Sequence, residues 1–184
     1  LCMFAFLSPF DSEKSNLSEK YLHPSSTYLL GTDALGRDLL TRILYGGRIS
    51  LAVGGIAVAI SLLIGVPVGA LAGYYGGKID TVLMRVTDAF LSLPSFLVLI
   101  LLAAILREVD LPIFQRNSVL TISLVIGVLS WMTFARLVRA AFLTLREMDY
   151  VSAARALGSS DGRIMLGHIL PNGIGVVIVE ATLQ

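Results

Sequence analysis

Four side chains near the start of the sequence have the types and spacing that acid–base chemistry uses: Asp33, Arg37, Asp38 and Arg42. Carboxylates and cations four residues apart also face one another along a helix. The pattern therefore predicts helix-surface ion pairs that brace the entry to a long apolar run, rather than a catalytic pair. Asp88 has Arg85 one turn away and is expected to form an ion pair near a helix end rather than a proton relay. Glu180 falls about midway along a last apolar stretch that starts near Pro171. An acid so placed usually faces a cavity or a partner, which makes Glu180 a candidate pathway residue, with a structural hydrogen bond or a different helix boundary as the alternatives. His23 and His168 are the only histidines and Cys2 is the only cysteine, so neither a metal site of the usual spacing nor an internal disulfide is expected. The run GGRIS at 46–50 lacks the Gly-Lys-Ser/Thr ending of a phosphate-binding loop, so a nucleotide would have to bind another chain. No catalytic residue is expected.

The elements that must carry these residues are legible from composition. Of the 184 residues, 55% are hydrophobic and 15% charged, against roughly a quarter charged in a soluble domain. Stretches 49–77, 89–106 and 117–135 carry no charge, and each reaches the roughly 18–20 residues that cross a bilayer as helix. Long continuous apolar runs, rather than short alternating ones, predict an all-α polytopic transmembrane helix bundle and not a lipid-facing barrel. The expected spans are 49–73, 84–106 and 118–137, with partial spans at 1–10 and 171–184, as if the chain were truncated at both ends. Arg136, Arg139, Arg146, Arg155 and Arg163 place the segment 138–170 on the cytoplasmic side. Alternation then puts 74–82, with Lys78, on the same side, and 11–48 and 107–118 outside, despite Lys14, Lys20, Arg37, Arg42 and Arg48 in the former. Retention of positive charge accounts for the arginine cluster, and nucleic-acid binding is not expected. Gly65, Gly69 and Gly73 recur every four residues on one helix face and predict close approach of a second backbone. Pro67 and Pro94 are expected to bend their helices.

Arg146 to Asn172 is too polar for lipid and too patterned for a loose loop. Met148, Val151, Ala154 and Leu157 return every three positions, which predicts an amphipathic helix over 147–157. Gly158 closes it, Ser159, Ser160 and Asp161 offer caps for a second helix, and Pro171 ends that helix and opens the next span. The product is a helix, tight turn, helix protrusion suited to docking in a partner's groove.

Within it, SAARALG followed by ILPN resembles the cytoplasmic loop of ABC importer permeases. The family pattern is Glu-Ala-Ala, three residues, Gly, nine residues, Ile, any residue, Leu-Pro. Ser152, Ala153 and Ala154 fill the first three places, Gly158 the glycine, His168 the isoleucine, and Leu170 and Pro171 the end, with Arg155, Ala156, Leu157, Ser159 and Asp161 among the intervening residues. Ser152 stands where the family has an acid, so an ion pair from that position to an ATPase is not expected. HILPN is similar to the version in the dipeptide, oligopeptide and nickel branch. The outer run LGTDALGRDLLTRILYGGRISL, from Leu30 to Leu51, resembles the entry to the second helix of the same permeases and contains Gly31, Thr32, Asp33, Gly36, Arg37, Asp38, Arg42 and Arg48.

The resemblance covers roughly residues 28–184 and implies a non-enzymatic, multi-pass permease subunit in the bacterial inner membrane. It also implies a sister permease, an extracytoplasmic substrate-binding protein, and two ATP-binding subunits that carry the ATP and magnesium. The cargo would be peptides or nickel. Members normally have six helices, so about a helix and a half more are expected after Gln184, and the chain alone is expected to be unstable. An ion-gradient transporter using Asp88 and Glu180, or a plain membrane anchor, fits less well. The spans are almost free of charge, and the polar residues are gathered in one patterned protrusion.

Overall fold

The computed structural model describes residues 15–108 and 118–183; the expected partial span 1–10 and most of the loop 107–118 lie outside them. Most of the described residues are helical, with one isolated bridge between Thr32 and Asp38 and no β-strand among them. The chain divides into two compact units, Leu1–Val53 and Gly54–Gln184, and the boundary falls within the first long helix.

In the first unit, residues 15–38 form a knot of turns that leads into α1 (Leu39–Tyr75). Asp33 is its hub. Oδ1 accepts from the backbone N–H groups of Leu35 (2.8 Å) and Arg37 (3.0 Å), while Oδ2 accepts from Arg37 Nε (3.0 Å) and from the Arg42 guanidinium. The Arg37 N–H contributes most to holding this carboxyl well below the usual carboxylate range, against the opposing push of desolvation; the Leu35 N–H and the two guanidiniums add to it. Thr32 donates to the Glu19 carbonyl and accepts from Leu22 N, and Tyr28 donates to Glu19 Oε2 at 2.7 Å. Gly36 takes φ +71°, and a Cβ there would collide with the Asn16 carbonyl oxygen, so the turn needs glycine. Asp38 immediately precedes α1, and its Oδ2 accepts from Thr41 N at 2.9 Å and from the Thr41 hydroxyl, an N-cap that satisfies an orphan donor of the first turn. Its Oδ1 is buried without a hydrogen-bond partner. The expected helix-surface pairs thus take another form. Asp33 and Arg37 do pair, but ahead of the helix, and Arg42 reaches back to Asp33 while Asp38 caps the helix.

The second unit holds most of α1, α2 (Gly77–Leu91), α3 (Ser95–Glu108), α4 (Ser118–Leu145), α5 (Asp149–Ala156), α6 (Asp161–Ile164), a π turn (Met165–Ile169) and α7 (Leu170–Leu183). Two helices, Leu39–Tyr75 and Val119–Leu145, are long and apolar enough to cross a membrane, with best windows of mean hydropathy 2.5 and 1.7. Gly77–Leu91 and Ser95–Leu106 would make a third span if taken together, but they are bent by 85°. Where a single span over 84–106 was expected, the helix breaks at Ser92–Pro94. Pro94 has no N–H to donate, and Leu93 before it is steered out of the helical region. α1 starts ten residues before the expected 49, because Arg42 and Arg48 end a charge-free run without ending a helix. At 37 residues it is about 55 Å long, well beyond the roughly 30 Å of a hydrocarbon core. α4 likewise runs past the expected 137 to Leu145, because the arginines in its last part find acids on α2: Arg139 grips both oxygens of Asp80, and Arg136 pairs with Asp88 at 2.6 Å. The expected partner of Asp88, Arg85, lies on its own helix, yet the ion pair forms across to α4.

α1 meets α4 along a strip of glycines and other small residues. A Cβ built on Gly65 would lie 2.7 Å from the Phe134 Cβ and the Trp131 carbonyl; one on Gly73 would lie 2.6 Å from the Phe142 Cβ; one on Gly69 would strike the Ala135 carbonyl. The seam extends beyond the expected three glycines. Ser61, wholly buried, has its hydroxyl 2.9 Å from the carbonyls of both Ala57 and, on α4, Gly127, which share its single proton, and Gly127 would itself clash at Ala57 and Ile60 if it carried a Cβ. Ala57, Ser61, Gly65, Gly69 and Gly73 are one continuous four-residue repeat.

Two outcomes test this account on the full chain in detergent. Gly69→Ala lowers stability by about 1–3 kcal/mol, the usual cost of overpacking, whereas Gly54→Ala, where a Cβ meets nothing within 4 Å, does not; thermal melts compare them. Because Asp33 is depressed in the folded state, its contribution is complete above the ordinary carboxylate value near 4 and is lost as pH falls toward the folded value. The Tm difference between wild type and Asp33→Asn should be steady from about pH 7 to 5 and shrink below about pH 4; a difference independent of pH would contradict the assignment.

Candidate functional site

The segment 146–170 builds the protrusion. Met148, in an extended conformation, opens α5, and the helix closes with a Schellman motif: Ser159 N–H bonds the Ala154 carbonyl at 3.1 Å, and Gly158 N–H bonds the Arg155 carbonyl at 3.0 Å. Gly158 sits at φ +80°, which an L side chain would resist, although nothing lies within 4 Å of a Cβ there. Ser160 stands just before α6, and its carbonyl accepts from the Ile164 N–H at 3.0 Å, but its side chain makes no capping bond. The Asp161 carboxylate, also expected as a cap, instead accepts from the Tyr74 hydroxyl at 2.6 Å. The π turn then leads into α7, with Asn172 Nδ2 donating to the His168 carbonyl at 2.6 Å.

The expected apolar stripe of α5 is divided. Val151 and Ala154 are buried in a core with Phe142 and Val138 of α4, Ile164 of α6, Ile169, Tyr74 and Val177. Ile164 and Ile169, five residues apart, are both fully buried because the π turn lies between them. Met148 and Leu157 remain outside, and Leu157 is 87% exposed, the most exposed large apolar side chain among the described residues. The outer face therefore comprises Ser152, Ala153, Arg155, Ala156 and Leu157 with Gly158 at the tip. In this part of the protein Pro171 is exposed, whereas Ser159, His168 and Leu170 are partly buried.

Two arginines fasten this structure to the end of α1. Arg146 Nη1 donates to the Gly73 carbonyl (2.9 Å) and the Tyr74 carbonyl (3.2 Å), satisfying groups that the helix end leaves unpaired. Arg155 lies over the Tyr74 ring, 5.9 Å from its centre. The α1–α2 turn and the protrusion thus lie together at one end of the second unit. The sequence did not single out Tyr74. Its signal was weak: an aromatic at the end of an apolar run, ahead of a glycine pair.

The residues singled out elsewhere are not gathered here. The outer motif, Gly31 to Arg48, belongs to the knot of turns and the start of α1, where Gly31, Thr32, Asp33, Gly36, Arg37, Asp38 and Arg42 make local structure. Arg48 is exposed on α1. Glu180 lies partly buried on α7, one turn after the buried Val177. Among the described residues no group of three or more His, Cys, Asp or Glu is placed to hold a metal ion.

Residues 65–184, from the middle of α1 through α7, match the family described as binding-protein-dependent transport system inner membrane component. The chain is 40% identical over 178 residues to the dipeptide transport system permease protein DppC of Bacillus subtilis, covering 97% of this chain and 53% of the relative. It is 35% identical over 184 residues to the oligopeptide transport system permease protein OppC of the same organism (100% and 57%). It is 36% identical over 178 residues to the glutathione transport system permease protein GsiD of Pectobacterium atrosepticum (95% and 55%). The chain spans about half the length of these curated relatives. With apolar helices long enough to cross a membrane, a helix–turn–helix protrusion at one end and these matches, the chain belongs to the family of binding-protein-dependent transport system inner membrane components.

Proposed function

We propose that this chain is part of the membrane-spanning permease subunit of an ATP-driven ABC importer of peptides. It works in a bacterial inner membrane and forms half of a passage with a sister permease. The protrusion 146–170 is the place where an ATP-binding subunit docks, and cargo is delivered by an extracytoplasmic binding protein. ATP and magnesium belong to the docked subunits, and the permease itself performs no chemistry. Peptides are preferred to nickel because the relatives named above carry dipeptide, oligopeptide and glutathione in their names.

The observation that carries the docking reading is the exposed tip: Leu157, 87% exposed, held by a Schellman closure on a helix whose opposite face is sealed in the core. A bare leucine on a stiff mount among small residues fits a groove, and its burial on docking would favour association. Ser152 offers no charge for an ion pair, so shape and apolar burial supply the contact. ATP binding and hydrolysis change the separation of the docked subunits, and the stiff protrusion passes that motion to the spans as a rigid-body change.

The test is recovery of the complex from membranes through the tagged subunit, followed by assay of its ATP hydrolysis. Wild type should bring down an ATP-binding subunit. Leu157→Asp and Gly158→Pro should each lower recovery by about tenfold or more, the first by placing charge in an apolar groove, the second because proline can neither reach φ +80° nor donate to Arg155. Recovery of no ATPase by wild type under conditions that preserve the complex, or equal recovery by both variants, would refute the reading.

A further inference from the structure

The protrusion is joined to the membrane helices at two places only along the chain: the turn at 146–148 after α4, and the π turn Met165–Ile169 before α7. Both are departures from regular α-helix, so the orientation of the element rests on what it packs against: Val151, Ala154 and Ile164 are buried with Val138 and Phe142 of α4. A further attachment is made by a residue from neither neighbouring helix. Tyr74, one residue from the end of α1, is 7% exposed, and its hydroxyl donates to Asp161 Oδ1 at 2.6 Å on α6. From α5, Arg155 Nη2 approaches the same hydroxyl at 3.4 Å and its guanidinium lies over the ring. One side chain of α1 therefore touches both helices of the protrusion.

We propose that Tyr74 is a positioning residue that locks the protrusion's orientation on the α1–α4 pair, so that movement of a docked ATP-binding subunit is transmitted to the spans instead of being absorbed by rocking. This rests on the protrusion being the docking element. Tyr74 has no part in docking itself, since it is buried on the inner side while the tip at Leu157 and Gly158 faces out. The ring packs in the core and the hydroxyl holds Asp161, so the two contributions can be separated by removing a single oxygen atom.

The experiment uses the intact complex in liposomes, with wild type, Tyr74→Phe, Asp161→Ala and the double variant. The readouts are recovery of ATP-binding subunits, ATP hydrolysis, and peptide imported per ATP hydrolysed. Tyr74→Phe should keep recovery and hydrolysis within about twofold of wild type and lower import per ATP by about tenfold, the scale of one lost hydrogen bond to a charged group. Asp161→Ala should reproduce that ratio, and the double variant should be no worse, because both remove one interaction. Hydrogen exchange of amides in 149–164 should quicken in Tyr74→Phe. Unchanged import per ATP with unchanged exchange overturns the proposal, and so does additive loss in the double variant. Loss of the ATP-binding subunits from Tyr74→Phe also overturns it, by making the hydroxyl a docking group. If wild type recovers no ATP-binding subunit, the docking reading itself fails.

Discussion

The contact between α1 and α4 is the constraint from which the second unit follows. Inside a bilayer, helices gain nothing from burying leucine against leucine, because lipid is equally apolar; they associate where backbones can come close enough for dense packing and interhelical hydrogen bonds. The repeat from Ala57 to Gly73 removes every side chain that would hold α4 away, and Ser61 adds a hydroxyl that bonds across to the Gly127 carbonyl. That closeness brings the last turns of α4 within reach of the α1–α2 turn, so that Arg146 finds the carbonyls of Gly73 and Tyr74 and Arg139 finds Asp80. Four of the five arginines from which a cytoplasmic side is expected, Arg136, Arg139, Arg146 and Arg155, also fasten that end. A lysine would keep the positive charge but not the planar, two-pronged grip on Asp80.

What the sequence reveals follows from which forces are local. Charge-free length marks lipid-crossing helix, and the glycine spacing marks a close seam, because each is a property of one helix face. The Schellman closure is legible at Gly158 because a left-handed residue after a helix favours glycine. Helix ends are less legible. The limits at 49 and 137 were set by charge, and Arg42, Arg48, Arg136 and Arg139 sit within helices because partners or solvent accommodate them. The 85° break is written in Pro94 only as a bend; its size depends on what α3 packs against. The choice of Arg136 over Arg85 for Asp88, and of Tyr74 over a helix end for Asp161, is tertiary, made by residues 48 and 87 positions away.

The amphipathic pattern of α5 shows how a correct period can mislead about a partner. Its apolar stripe suggests a face offered to another protein, yet its middle residues are the inner surface of the chain's own core. What remains for a partner is the end of the stripe and the small residues beside it. The sealed inner face gives the outer one its stiffness, since a helix of eight residues has little stability of its own and is held by what it buries.

The π turn carries a consequence for the angular phase of the chain. Ile164 and Ile169 both point inward at a spacing of five, where an uninterrupted α-helix would rotate the second away from the first. Everything downstream, including Val177 on the core side and Glu180 after it, inherits its direction from that one widened turn. Loss and gain of a residue between 164 and 169 are therefore unequal events. Loss lets the turn relax to ordinary α geometry with both isoleucines still aligned, whereas gain twists α7 about its axis and points a different face at α4.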